Sequence, residues 1–182
     1  VIYNLTINTD NRYCGLFGYI AVAVLQHLGI EDAKIASTDT DVAILSGYAG
    51  RSNIKRCYVT GSVKGYAAVS GLLGSTYDGV TAVENCYARV DLTPTVDRGD
   101  TAGISGWNSK SSIQIVNCYS ACIGEQRPIA GWSDGAAVSN EKITNTYFDS
   151  TLSPNFSSDA GRADLGRTSA QLKTQDDPDT FV

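Results

Sequence analysis

Methionine is absent from this 182-residue chain, histidine occurs once, as His27, and there are four prolines. With no methionine, a chain opening at Val1 is expected to have lost its initiator through signal removal, processing or excision. One histidine, placed beside Leu28 in an expected strand, leaves a Ser-His-Asp triad with little to rest on. No Cys-x-x-Cys pair accompanies it, so neither a metal site nor a cofactor is expected. Basic residues are also scarce: 14 Lys and Arg face 19 Asp and Glu, for a net charge of -5 and a pI near 4.7. Phosphate binding needs clustered Lys and Arg, which argues against a nucleic-acid partner. Long apolar runs are missing too. The longest, Tyr19 to Leu25, is far shorter than a helical span requires, so no membrane span is expected.

A repeated phrase is present instead. Ile54-Lys55-Arg56-Cys57-Tyr58 returns as Val83-Glu84-Asn85-Cys86-Tyr87, as Val116-Asn117-Cys118-Tyr119 and, worn, as Ile143-Thr144-Asn145-Thr146-Tyr147. A recurrence of 28 to 32 residues describes a solenoid, because each unit is too small to bury its own apolar face. Leu25 to Ile30 and Ile2 to Ile7 read as earlier copies, with leucine replacing cysteine. A second half-phrase recurs as Gly15-Leu16-Phe17-Gly18-Tyr19, Ile44-Leu45-Ser46-Gly47-Tyr48, Val69-Ser70-Gly71-Leu72, Gly103-Ile104-Ser105-Gly106-Trp107 and Pro128-Ile129-Ala130-Gly131-Trp132. Short β-branched and aromatic segments bounded by Gly, Ser, Asn and Asp read as strands joined by tight turns.

These blocks, Ile54 to Gly74 in particular, resemble the GLUG repeat found mainly in large bacterial surface and secreted proteins. The resemblance covers roughly residues 1–148, and Tyr147 to Thr174 is similar to the stretch that closes such arrays. It implies an extracellular or cell-surface setting and carries no catalytic residues to this chain.

In-register stacking turns every motif position into a column. Cys57, Cys86 and Cys118 make one, headed by Leu5 and Leu28 and ended by Thr146. Leucine in the same column argues that the thiols face the core, and parallel side chains suit a disulfide torsion badly, so free buried thiols are expected. Alternation then turns Tyr58, Tyr87, Tyr119 and Tyr147 outward as a ladder. If Ile44, Ile104 and Ile129 point inward, then Gly47, Gly106 and Gly131 mark a bend or a close backbone approach. Tyr19, Tyr48, Leu72, Trp107 and Trp132 make the second aromatic column. Its plainest use is structural. The alternative is a glycan-binding platform of Tyr19, Tyr48, Trp107 and Trp132.

No catalytic residue is assigned. Asp39, Asp41, Asp78, Asp97, Asp100 and Asp134 lie in Gly- or Thr-rich connections, where turn formation accounts for them, and a polysaccharide-active solenoid would need carboxylates converging from adjacent rungs. Asp176-Asp177-Pro178-Asp179 reads as a solvated acidic tail. Of the two glycosylation sequons, Asn4-Leu5-Thr6 falls in an expected strand and Asn155-Phe156-Ser157 in a loop.

The expectation is an all-β, right-handed parallel β-solenoid of about six rungs over residues 1–148, the hand following the general rule for parallel crossovers. Residues 149–182 form a closing segment, in which Thr168-Ser169-Ala170-Gln171-Leu172 starts a short helix. At the other end, Ile2, Tyr3, Leu5 and Ile7 form an apolar strand with a bare edge. That edge would be covered by flanking repeats of a longer chain, by a copy of itself in a head-to-tail filament, or by a partner. The function expected is a non-enzymatic extracellular structural module of an adhesin or a filament.

Overall fold

The computed structural model describes residues 1–96, 98–109, 112–124, 127–133, 136–137, 142–153 and 163–173. The chain winds into a β-solenoid of about five stacked turns, nearly all of it parallel strand. Three faces run its length. The tyrosine face stacks Ile2–Tyr3 and Thr6–Thr9 on Gly29–Ser37, then Tyr58–Gly65, Tyr87–Pro94, Tyr119–Ser120, Tyr147–Asp149 and Gly166–Arg167. The glycine face stacks Phe17–Ala21, Ser46–Gly50, Leu73–Thr76 and Ser105–Asn108, with Val42–Ala43 and Val69–Ser70 paired beside it. The third face stacks Val24–Gln26, Asn53–Lys55, Thr81–Glu84, Ile113–Val116 and Ile143–Thr144.

The core follows from strand alternation. Ile54, Val83, Ile115 and Ile143 succeed one another in register and are buried, as are Ile35, Val63 and Leu92 on the tyrosine face. Between faces the chain turns through single residues in the left-handed region. At one corner these are His27, Arg56, Asn85, Asn117 and Asn145, with φ between 45° and 57°. Asparagine tolerates that conformation better than most residues, which explains its recurrence in the phrase. The Asn145 amide also donates to Asn117 Oδ1 at 2.6 Å. His27, expected within a strand, is an exposed member of this corner.

The N-terminal segment differs from expectation. Ile2 pairs with Ile30 and Thr6 with Lys34, so Ile2 to Ile7 belongs to the strand after the Cys-Tyr phrase and not to the phrase itself. Leu5 therefore lies level with Ala33, and the cysteine column starts at Leu28. An alternating apolar strand suits either face, so alternation could not separate the two alignments. Asn4, expected in a strand, sits between two strands at φ 57° and is exposed.

At the C-terminal end, Gly166–Arg167 adds a parallel strand to Tyr147–Asp149, and Leu165 enters the core. The helix Ser169–Lys173 starts as expected. Thr168 Oγ1 accepts from the Gln171 N–H while Gln171 Oε1 accepts from the Thr168 N–H at 2.8 Å, the reciprocal pattern of a capping box.

Candidate functional site

The cysteines form a column of packing groups. All five cysteines are buried and outside any disulfide, and Cys57, Cys86 and Cys118 follow one another up the core. Thiol-to-thiol hydrogen bonding along this column, together with burial, pushes Cys57 and Cys86 well above the usual thiol range. Burial raises Cys14 as well. Thr146 ends the column, and its Oγ1 accepts the Cys118 N–H at 3.2 Å.

Tyr58, Tyr87, Tyr119 and Tyr147 stand in register on the outer surface. Tyr58 and Tyr87 stack with centroids 5.0 Å apart and planes within 7°. The Tyr58 ring lies over Gly29, where a Cβ would collide with it, and its hydroxyl donates to Glu31 Oε1 at 2.6 Å. That bond and burial raise the phenol to about 12. At the far end Arg167, from the closing strand, covers Tyr147 at 4.7 Å. The ladder thus runs from the first turns to the cap.

The second aromatic column is rearranged. Tyr19 stacks on Tyr48, with centroids 4.2 Å apart and planes within 11°, and Tyr13 meets both edge-on. The next residue in register is Ser75, not Leu72, which is buried in the core. The third copy therefore reads Gly71-Leu72-Leu73-Gly74-Ser75. Tyr77 fills the space beside the small serine, edge-on to Tyr48 at 5.1 Å and to Trp107 at 6.1 Å. Tyr77 lies outside the repeated phrase; a serine where neighbouring copies carry an aromatic was the one signal that pointed to it. Tyr48, expected as a binding ring, is only 1% exposed, and its hydroxyl donates to the Tyr77 carbonyl at 2.8 Å. Trp132 leaves the row: its strand turns back antiparallel against Ala136–Ala137, and Arg127 sits over its ring at 4.7 Å. Tyr19, at 56%, and Tyr77, at 43%, are the exposed members.

Glycine is required beneath this row by backbone contact. A Cβ at Gly47 would meet the backbone of Tyr13, one at Gly74 that of Asp41, and one at Gly106 those of Ala68 and Asp100. The expected close approach is present, and Ile44, Ile104 and Ile129 point inward.

Of the candidate aspartates, Asp78 lies at one corner and Asp41 and Asp100 at another. Asp78 pairs with Arg51 at 2.9 Å at an exposed one. At the other, Asp41 is buried against Arg12, and Asp100 has Oδ1 unpartnered and a carboxyl raised by its burial. Asp97, Asp134, Asn155 and the acidic tail lie outside the described residues.

The remaining candidate is the N-terminal face. Ile2–Tyr3, Thr6–Thr9, Phe17–Ala21 and Val24–Gln26 pair only toward the following turn. Ile2, Leu5, Ile7, Leu16, Phe17, Leu25 and Leu28 pack on the core from this side yet are only partly buried. Not one residue of the four strands is charged and none is proline. Natural sheet edges are usually guarded by charge, proline or a covering element, and among the described residues this one has none of them. Compared with protein-family models, with curated proteins and with solved structures, the chain matches none of them.

Proposed function

We propose that the chain is a non-enzymatic structural module of an extracellular or cell-surface protein, joined through its N-terminal face to further β structure. The contrast between the two ends carries this reading. The open face is apolar, uncharged and unpaired on all three sides, whereas the tyrosine face at the other end is continued by Gly166–Arg167 and the short helix. Support also comes from the repeated columns, each of which bonds one turn to the next: buried thiols, stacked tyrosines, the asparagine corner, and ion pairs such as Lys55 with Glu84 at 3.1 Å. The setting rests on the resemblance to GLUG repeats.

The competing reading is a glycan platform, favoured by the exposed rings of Tyr19 and Tyr77 beside Trp107. The edge-on arrangement and the burial of Tyr48 leave little continuous flat surface for a sugar to stack on. An array of neutral and acidic oligosaccharides separates the two. The structural reading expects no ligand to be retained. A sugar bound by the native chain and released by Tyr77→Ala with Trp107→Ala, in a variant of unchanged circular dichroism, would establish the platform instead.

A further inference from the structure

Resting on that reading, we infer that the N-terminal face takes one kind of partner: the uncapped C-terminal face of a parallel β-coil with the same corners, carrying an aromatic residue over Tyr19. Hydrogen-bond polarity carries the inference. At each corner the left-handed residue donates its N–H to the carbonyl of the next turn: Val22 to Gly50 at 3.0 Å, His27 to Lys55 at 3.1 Å, Arg56 to Glu84 at 3.0 Å and Asn85 to Val116 at 3.0 Å. The first-turn residues in register with Gly50 and Lys55 are Ala21 and Gln26, so their carbonyls face outward as acceptors. Along the strands the sense alternates, Phe17 N–H donating forward to Leu45 at 2.9 Å while other positions donate backward. Lys34 N–H donates back to Leu5 at 2.8 Å and Asn53 N–H to Ala23 at 2.8 Å, so the Thr6 and Val24 N–H groups, in register with them, face outward as donors.

A parallel coil presents corner N–H groups over Ala21 and Gln26 and strand carbonyls over Thr6 and Val24, satisfying all three edges together. A second copy docked face to face brings no corner N–H groups to the Ala21 and Gln26 carbonyls, because its own Val22 and His27 N–H groups are bonded to Gly50 and Lys55 of the following turn. This chain's own C-terminal face is also unsuitable, because Gly166–Arg167 and the helix Ser169–Lys173 occupy its tyrosine-face edge. The aromatic requirement comes from Tyr19. One of its faces stacks on Tyr48, and the other points along the solenoid axis toward the missing position, in a ring left 56% exposed.

The register supplies the experiment. Because Ile2 pairs with Ile30, a duplicate of residues 1–28 placed before Val1 of the full chain sets Val1 where Gly29 would stand and a second Tyr19 over the first. The extended chain should form this added turn. Exchange at the Thr6 and Val24 amides is expected to slow by at least about tenfold, with a melting temperature higher by about 3 °C or more. Tyr19→Ala in the added copy should lose part of that gain. The unextended chain should run as a monomer at micromolar concentration. An added turn that stays unprotected, with an unchanged melting temperature, overturns the inference and leaves the oligosaccharide result to judge the structural reading by itself. A dimer of twice the chain mass, abolished by Val24→Lys, overturns it through face-to-face pairing while keeping the face as a joint. Head-to-tail fibres overturn it by showing that the cap does not block the other end.

Discussion

Cys86 lies buried between Cys57 and Cys118 in the core. As a small hydrophobe in a close-packed column it should cost about 1–2 kcal/mol when changed to alanine, read from denaturant melts. Because the Cys57 and Cys86 thiols are pushed upward, they should resist a thiol reagent at pH 8 in the folded chain and react on unfolding. Rapid native labelling would contradict their burial. Gly47 and Asn117 make backbone tests. Gly47→Ala places a methyl group against the Tyr13 backbone and should destabilise by about 2 kcal/mol or more, since backbone must move to admit it. Asn117→Ala forces alanine to φ 52° and removes the bond from Asn145, for a loss of about 1–2 kcal/mol. Thermal melts of both variants check the order.

Strands and cap are coupled through ionisable groups. Asp149 accepts hydroxyl hydrogen bonds from Ser169, in the closing helix, and from Thr151. Burial raises its carboxyl, but these bonds outweigh burial and hold it below the ordinary range. A depressed carboxyl contributes stability above its unfolded value, near pH 4, and loses that contribution as pH falls through the lower folded value. Amide exchange in residues 169–171 should therefore quicken below about pH 4. Asp149→Asn should free the cap at neutral pH. The tyrosine ladder gives the opposite sign. Tyr58, raised by its bond to Glu31 and by burial, and Tyr119, raised by burial and by Asp149, both stand near 12. Their contribution is complete below the ordinary phenol value near 10 and lost as pH rises through about 12, so an ultraviolet titration should find these two late phenols, with Tyr48, raised by burial, later still. A single tyrosine step near 10 would contradict the ladder.

Element positions were legible where the physics is periodic. The thiol column, the outward tyrosines and the inward isoleucines all follow from alternation repeated turn after turn, and the capping box from its local residue pattern. What periodicity could not decide was register. Gly71 and Gly74 both fit the glycine position and backbone runs close against each, so the choice falls to Gly74 only through the pairing of Ser75 with Tyr48. Ile2 to Ile7 alternates equally well on two faces. Trp132 shares the phrase of Trp107, yet a local antiparallel turn and Arg127 hold it elsewhere. The candidate site was correspondingly half legible: the bare edge was expected, while Tyr48 was expected at the surface and Tyr77 went unnoticed.

Across the whole molecule, stability in a solenoid is close to a sum of turns and of the interfaces between them, so the end turn is held from one side only. The N-terminal turn combines that position with a partly exposed apolar core and Val24 at 61% exposure. The closing residues 163–173 give the opposite end a strand, a core leucine and hydroxyl bonds to Asp149. The molecule is thus polar along its axis, with one end closed on its tyrosine face and one end offering donors and acceptors in a fixed parallel pattern. The most direct test is hydrogen exchange at the Val24 amide, measured in the chain with and without the added 28-residue turn. Fast exchange in the native chain that slows by at least about tenfold on extension is the expected result. An amide already as protected as Asn53 in the native chain, or one indifferent to the extension, would contradict the N-terminal face as a joint for a parallel coil.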